Sequence, residues 1–334
     1  MARRRTNDVR LIVATDPVLI TCTFADNGLV QGLVGPQNVN MTRLEQRLDV
    51  VLHSRGNTIT IEGDADKAVI AENVLQQLYE RLSNGLPLES GDIDGAARLA
   101  TSDTVAQADL TIRTRKRHIA PRSPGQAEYL QALNDHELVF GLGPAGTGKT
   151  YIAVAKAVSL KLAGAIDRII LSRPAVEAGE RLGFLPGDLR DKVDPYLRPL
   201  YDALYEMMPG DQVAKQMESG EIEVAPLAFM RGRTLTNAFI ILDEAQNTTP
   251  MQMKMALTRM GENSRMVVTG DLSQIDLPTG MKSGLKDALE TLEGVKGVGR
   301  VSFTQRDVVR HDLVARIVGA YDRRDAQRKA ASQE

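Results

Sequence analysis

The chain has 334 residues, in which 41 Lys plus Arg nearly cancel 43 Asp plus Glu to a net charge of -2. That length suits two domains with ample core, and the charge balance excludes a polyanion-binding surface spread over the whole molecule, so any such site must come from local clustering. The one cysteine, Cys22, excludes an intrachain disulfide and a cysteine-based zinc site, and it fits a reducing cytoplasm.

The N-terminal MARRRTNDVR is basic, but Asp16 and Pro17 break the apolar run from Leu11 to Thr23, so no cleaved signal peptide is expected. No stretch approaches the roughly 20 apolar residues of a membrane-spanning helix. A soluble, cytoplasmic protein with no membrane partner follows as the expectation. Residues 9–24 and 50–62 carry β-branched residues in near alternation, the second run with an Arg55-Gly56-Asn57 turn between two strands. Helical spacing appears over Met41 to Leu48 and again over Ala65 to Leu82, where Ala68, Val69, Ala71, Val74, Leu75, Leu78 and Leu82 share a face. These segments predict a small α+β domain over 1–84.

A connector over 85–123 is first polar, with a short helix around Ala96 to Leu99, and then basic. TIRTRKRHIAPRS, residues 111–123, gathers Arg113, Arg115, Lys116, Arg117 and Arg122, either a solvated linker or a strip that contacts a phosphate backbone. From Glu137 onward, short apolar runs alternate with helices, which predicts an α/β fold built on a parallel sheet over 124–320. The runs are Leu138 to Phe140, Arg168 to Leu171, Ile222 to Ala225, Phe239 to Leu242, Met266 to Thr269 and Val301 to Phe303. Residues 321–334 form a charged tail expected to fray.

GPAGTGKT, residues 143–150, follows the first of these strands and opens a helix over Tyr151 to Leu162, the context that a phosphate-binding loop requires. Backbone N–H groups of Gly143, Pro144, Ala145, Gly146, Thr147, Gly148, Lys149 and Thr150 (Pro144 excepted, which has none) surround the anion, and the helix offers it a positive end. Lys149 is expected to reach the β- and γ-phosphates of ATP or GTP, and the Thr150 hydroxyl to hold Mg2+. The strand Phe239 to Leu242 ends in Asp243-Glu244, at the edge where open α/β sheets bind ligands. Asp243 would belong to the Mg2+ shell, while Glu244 would orient or deprotonate a water. Thr249-Pro250-Met251-Gln252 reads as a capped helix start, and Met251, Met253, Met255 and Met260 as core filler. In GDLSQIDLP, residues 270–278, Gln274 is the expected γ-phosphate sensor, with Asp271 as the alternative.

Taken in order, GPAGTGKT, IILDEAQNTTPMQMK and VVTGDLSQIDLP resemble the PhoH family of P-loop ATPases, which are similar to the first motor lobe of superfamily-one helicases. The resemblance runs from about residue 111 to 320 and includes SRPAVEAGERLGFLPGDLRDKVDPYLRPLYDAL (172–204) and TQRDVVRHDLVARIV (304–318). It implies a RecA-like P-loop NTPase with one motor lobe, ATP and Mg2+ as cofactors, and an adenine edge read by Gln126. A single lobe lacks the arginine finger of a second one, so Arg173, Arg306 or Arg310 would supply it, most simply in trans across a homo-oligomer such as a hexameric ring. The N-terminal domain resembles the KH-like module of the longer family members, with Gly35-Pro36-Gln37-Asn38 in place of the GxxG loop that clamps single-stranded RNA. The resemblance further implies work on RNA or ribonucleoprotein in ribosomal RNA maturation or the phosphate-starvation response, with an rRNA-processing endoribonuclease as partner. Two other readings stand beside it: a nucleotide-gated protein-remodelling scaffold, and a P-loop small-molecule kinase.

Overall fold

The computed structural model describes residues 17–101, 110–174, 189–278 and 280–309, with positions 314, 316, 317, 320, 321 and 324; over 189–196 it describes the backbone alone. The chain folds as two compact units, 1–103 and 104–334. Among the described residues, no helix is long and apolar enough to cross a membrane.

In the first unit, β1 (Val18–Thr23), β2 (Val51–Arg55) and β3 (Thr58–Gly63) form an antiparallel sheet in the order β1-β3-β2. The alternation in the sequence sets its sides, since Leu52, Ile59 and Ile61 are buried while Thr21, His53 and Arg55 are exposed. The β2–β3 turn falls where the sequence placed it, with Gly56 at φ 62°. Four helices bury their apolar faces in the same core: α1 (Asn27–Val34), α2 (Val39–Leu48), α3 (Ala65–Ser83) and α4 (Ser90–Ala100). On α3, Ala68, Ala71, Val74, Leu75 and Leu78 are buried as the spacing predicts, but Val69 lies 48% exposed. One position past Ala68 rotates a residue about 100° around the helix, out of the stripe.

Helix α4 corrects the connector expected over 85–123. A capping box between Glu89 and Asp92 starts the helix, Ile93 and Ala97 enter the N-terminal core, and Asp94 accepts from Arg43 at 2.8 Å and Arg47 at 3.1 Å on α2. Residues to 103 thus belong to the first unit, and those from 104 to the second.

The second unit is a six-stranded parallel sheet with flanking helices, consistent with a RecA-like P-loop fold. Its strands are β6 (Leu138–Leu142), β7 (Arg168–Arg173), β8 (Ile222–Pro226), β9 (Ala238–Leu242), β10 (Arg265–Gly270) and β11 (Val298–Ser302), in the order β11-β6-β10-β9-β7-β8. The predicted runs fall on the six strands, the last only in part, since β11 spans Val298–Ser302 and leaves Phe303 outside; the runs of β6 and β9 are buried at every position, as strands covered on both faces require. Helices α5 (Pro124–Asp135), α6 (Lys149–Leu162), α7 (Leu189–Met207) and α8 (Gly210–Glu218) lie before and between the early strands, α9 (Pro250–Leu257) and α10 (Gly284–Thr291) between the later ones.

The basic strip forms a two-stranded hairpin, β4 (Ile112–Arg113) with β5 (His118–Ile119). Lys116 Nζ donates to the Tyr205 carbonyl at 2.8 Å, and Arg117 pairs with Glu206 at 3.7 Å. Two of its cations are thereby strapped to α7 and do not form a loose solvated linker.

Candidate functional site

Residues 143–148 connect β6 to α6 through turns that only glycine adopts readily. Gly143 has φ 135° and Gly148 φ 83°, and a Cβ on Gly143 would sit 2.4 Å from the Phe303 carbonyl oxygen. The loop is braced from both sides. Gly143 N–H donates to the Gly270 carbonyl at 3.1 Å, and Val309 N–H to the Gly146 carbonyl at 3.0 Å. Thr147, fully buried, donates to the Pro144 carbonyl at 3.0 Å. Lys149 Nζ curls over the loop to the carbonyls of Gly143 at 2.6 Å and Pro144 at 2.8 Å. Its ammonium is therefore already held at the mouth of the loop.

Two strand ends deliver acidic groups to the same place. Asp243, just past β9, accepts at Oδ1 from the hydroxyls of Thr150 and Thr269, both at 2.6 Å. Glu244 takes a left-handed backbone, φ 51° and ψ 39°, which costs a residue with a Cβ about 1–2 kcal/mol and turns the chain sharply out of the sheet. Its Oε2 accepts from Gln246 Nε2 at 2.6 Å, and its Oε1 lies 3.5 Å from a guanidinium nitrogen of Arg173 at the end of β7. Gln246 is 1% exposed and also donates to the Gln274 carbonyl at 3.2 Å while accepting from Asp271 N–H at 3.1 Å. This one amide spans the loops after β9 and β10. Asp271 Oδ1 accepts from Ser273 N–H and hydroxyl at 2.9 and 2.6 Å, but its buried Oδ2 has no hydrogen bond among the described residues.

These groups surround one cleft of about 510 Å³ at the carboxyl edge of the sheet. It brings together Ala145, Gly146, Gly148, Lys149, Thr150, Asp243, Glu244, Gln274 and Arg173, all picked from the sequence. Gly143, Pro144 and Thr147 shape the loop behind it and do not line it. The opposite wall comes from α7, through Asp202, Ala203 and Glu206, with Tyr151 below. Burial raises the Tyr151 hydroxyl pKa, and the Glu206 carboxylate beside it adds to the shift.

Gln126 and Arg306 lie outside the cleft lining, and one reading of the methionines needs revision. Gln126, placed at an adenine edge by the resemblance, is 5% exposed and does not line the cleft. Its Oε1 accepts from Arg122 N–H at 2.7 Å and its Nε2 donates to the Thr147 carbonyl at 2.9 Å. A buried amide must satisfy both ends, and here that tethers the 143–148 loop to the start of α5. Met251, read as core filler, is 83% exposed, whereas Met253 is buried. Arg306 is exposed and outside the cleft lining, and Arg310 lies outside the described residues, as do Ala175 to Asp188 of the SRPAVEAGERLGFLPGD stretch.

Sequence reading missed Gln246, although it completes the DEAQ tetrapeptide, and it missed Thr269 and Asp307. Asp307 accepts from Gly125 N–H at 3.0 Å and Thr304 N–H at 2.8 Å, clamping the segment after β11 to α5. Burial alone would raise its pKa; hydrogen bonds from Thr304, Ser123 and Gly125 outweigh that and lower it.

The sequence model of the family described as PhoH-like protein matches residues 118–322. A PhoH-like protein of Bacillus subtilis (strain 168) is 49% identical over 299 residues, covering 88% of this chain and 94% of its own length. One from Mycobacterium tuberculosis (strain ATCC 25618 / H37Rv) is 50% identical over 307 residues, 88% of this chain and 85% of its own. The Protein PhoH of Escherichia coli (strain K12) is 49% identical over 205 residues, which cover 61% of this chain and 58% of the relative.

Proposed function

The chain belongs to the PhoH-like family, and from that premise we propose that it is a Mg2+-dependent ATPase whose single motor lobe acts on RNA or ribonucleoprotein. The observation that carries the reading is the convergence of Lys149, Thr150, Asp243 and Glu244 on one cleft at the carboxyl edge of a parallel sheet. Lys149 exchanges its loop carbonyls for β- and γ-phosphate oxygens, and the backbone N–H groups around Gly146 and Gly148 hold the remaining phosphate charge. Glu244 orients a water toward the terminal phosphate, and Gln274, tied through Gln246 to Glu244, senses that phosphate.

The oxygen donors fit a hard cation that keeps most of its waters. Thr150 and Asp243 would hold Mg2+, their oxygens being already 2.6 Å apart, and the unpaired Asp271 Oδ2 offers an acceptor to one of its waters. Bound between Thr150 and Asp243, such an ion would neutralise phosphate charge.

The first unit supports the nucleic-acid half of the reading. Its Gly35-Pro36-Gln37-Asn38 loop sits between α1 and α2, where a KH-like module presents its RNA clamp. Asn38 occupies the last glycine's place in a left-handed conformation, φ 61°, which asparagine tolerates better than most residues. With no cation in that loop, affinity for RNA depends on cations elsewhere, of which the β4–β5 hairpin offers Arg115. Work in ribosomal RNA maturation or the phosphate-starvation response, an rRNA-processing endoribonuclease partner, cytoplasmic location and a hexameric ring extend this proposal. ATP hydrolysis measured with and without single-stranded RNA tests it, on wild type, Lys149→Ala and Glu244→Gln. We expect RNA-stimulated hydrolysis in wild type alone, with ATP binding kept by Glu244→Gln. Hydrolysis indifferent to RNA, with no RNA retained in the ATP-bound state, would leave the protein-remodelling scaffold instead.

A further inference from the structure

The carboxylate of Glu244 is engaged at both oxygens, Oε2 by Gln246 at 2.6 Å and Oε1 by Arg173 at 3.5 Å. All of this lies within one chain. Arg173 and Glu244 line the same cleft as Lys149 and Thr150, and their side chains are 23% and 36% exposed, so the pair is partly screened by solvent. Glu244 also starts from a fixed left-handed backbone, so its side chain reaches Arg173 without a loop having to move.

We propose that Arg173 is a gate on Glu244 acting in cis, one that the terminal phosphate of a nucleoside triphosphate opens by competing for the guanidinium. The proposal rests on the nucleotide reading of the cleft. A guanidinium binds a phosphate through two parallel N–H donors, and the phosphate brings more charge than a carboxylate. When the terminal phosphate draws Arg173 away, Glu244 keeps its bond to Gln246 at one oxygen and turns the other to water. A diphosphate reaches less far along the cleft and leaves the pair closed. Arg173 is on this account a positioning residue that discriminates the number of phosphates in its own chain's site, which sets it apart from a finger reaching into a neighbour.

A double-mutant cycle read by equilibrium binding separates these possibilities without using hydrolysis. The ligands are the non-hydrolysable β,γ-imido analogue of ATP and ADP, each with Mg2+, titrated calorimetrically into wild type, Glu244→Gln, Arg173→Ala and the double variant. Removing the Glu244 charge weakens one hold on Arg173, so Glu244→Gln is expected to tighten the triphosphate analogue about two- to fivefold, the strength of a partly exposed ion pair, and to leave ADP unchanged. In the Arg173→Ala background the gain should vanish. A gain of equal size in both backgrounds would mean simple charge repulsion and would overturn the gate, as would an equal gain for ADP. Arg173→Gln, which keeps most of the side-chain volume, repeats the cycle should Arg173→Ala melt early. Wild type that binds neither nucleotide refutes the nucleotide reading itself, whereas binding without coupling refutes only the gate.

Discussion

Two loops of this chain lead into helices through left-handed turns, and they differ in what surrounds them. Gly35 to Asn38 has φ values of 76°, 53° and 61° at Gly35, Gln37 and Asn38, and its surroundings are the polar backbone and side chains of α1 and α2. The loop over 143–148 is as contorted, yet Lys149, Thr150, Asp243 and Glu244 converge on it from two strand edges. Backbone shape alone thus makes a turn; chemistry arises where a parallel sheet aims several strand ends at the turn.

That contrast can be broken most forcefully at Lys149. Lys149→Ala should lower ATP hydrolysis by about 10²–10³, measured as phosphate release, with thermal stability barely changed because the ammonium is tied only to loop carbonyls. Gln246→Ala should come next. Glu244 would lose its short hydrogen bond from Gln246 and the link to residues 271–274, lowering kcat roughly 10- to 100-fold at similar KM; an unchanged kcat in steady-state kinetics would remove Gln246 from the site.

Asp307→Asn tests the support behind the loop. Replacing a buried acceptor of several N–H and O–H donors should cost about 1–2 kcal/mol at neutral pH. The folded-state pKa of Asp307 is depressed, so its contribution is fully present above the ordinary carboxylate value near about 4 and fades as pH falls through the lower folded value. Melting curves at pH 7 and pH 3 should therefore differ between the two proteins at the first pH and converge toward the second. The smallest effect belongs to the other loop. Asn38→Ala should cost about 1 kcal/mol in urea denaturation from its left-handed backbone and leave hydrolysis in the absence of RNA untouched.

Legibility in the sequence followed the range of the interactions. The strands of the parallel sheet could be read because their apolar residues lie within five or six consecutive positions, and the loop over 143–150 because its glycines, lysine and threonine are contiguous. Helix α4 was harder to read as core, since Ser90, Gly91, Asp92, Asp94 and Gly95 look like connector until Arg43 and Arg47 are brought to Asp94. Gln246 and Asp307 were illegible for the same reason, their partners lying 25 to 28 and 182 residues away. For Gln126 the residue type invited one role, and its burial between Arg122 and Thr147 gave it another.

The bond from Val309 to Gly146 also bears on how the molecule is made. Strand β6, which carries the phosphate loop, pairs with β10 and β11, and the clamp on α5 is Asp307. On a ribosome all of these emerge more than a hundred residues after Lys149, so the growing chain leaves β6 without a strand partner through most of the synthesis of its second unit. The cleft is thus a late product of translation, and a nascent chain stalled before residue 298 would carry every residue of the 143–150 loop while lacking the strand and clamp that brace it.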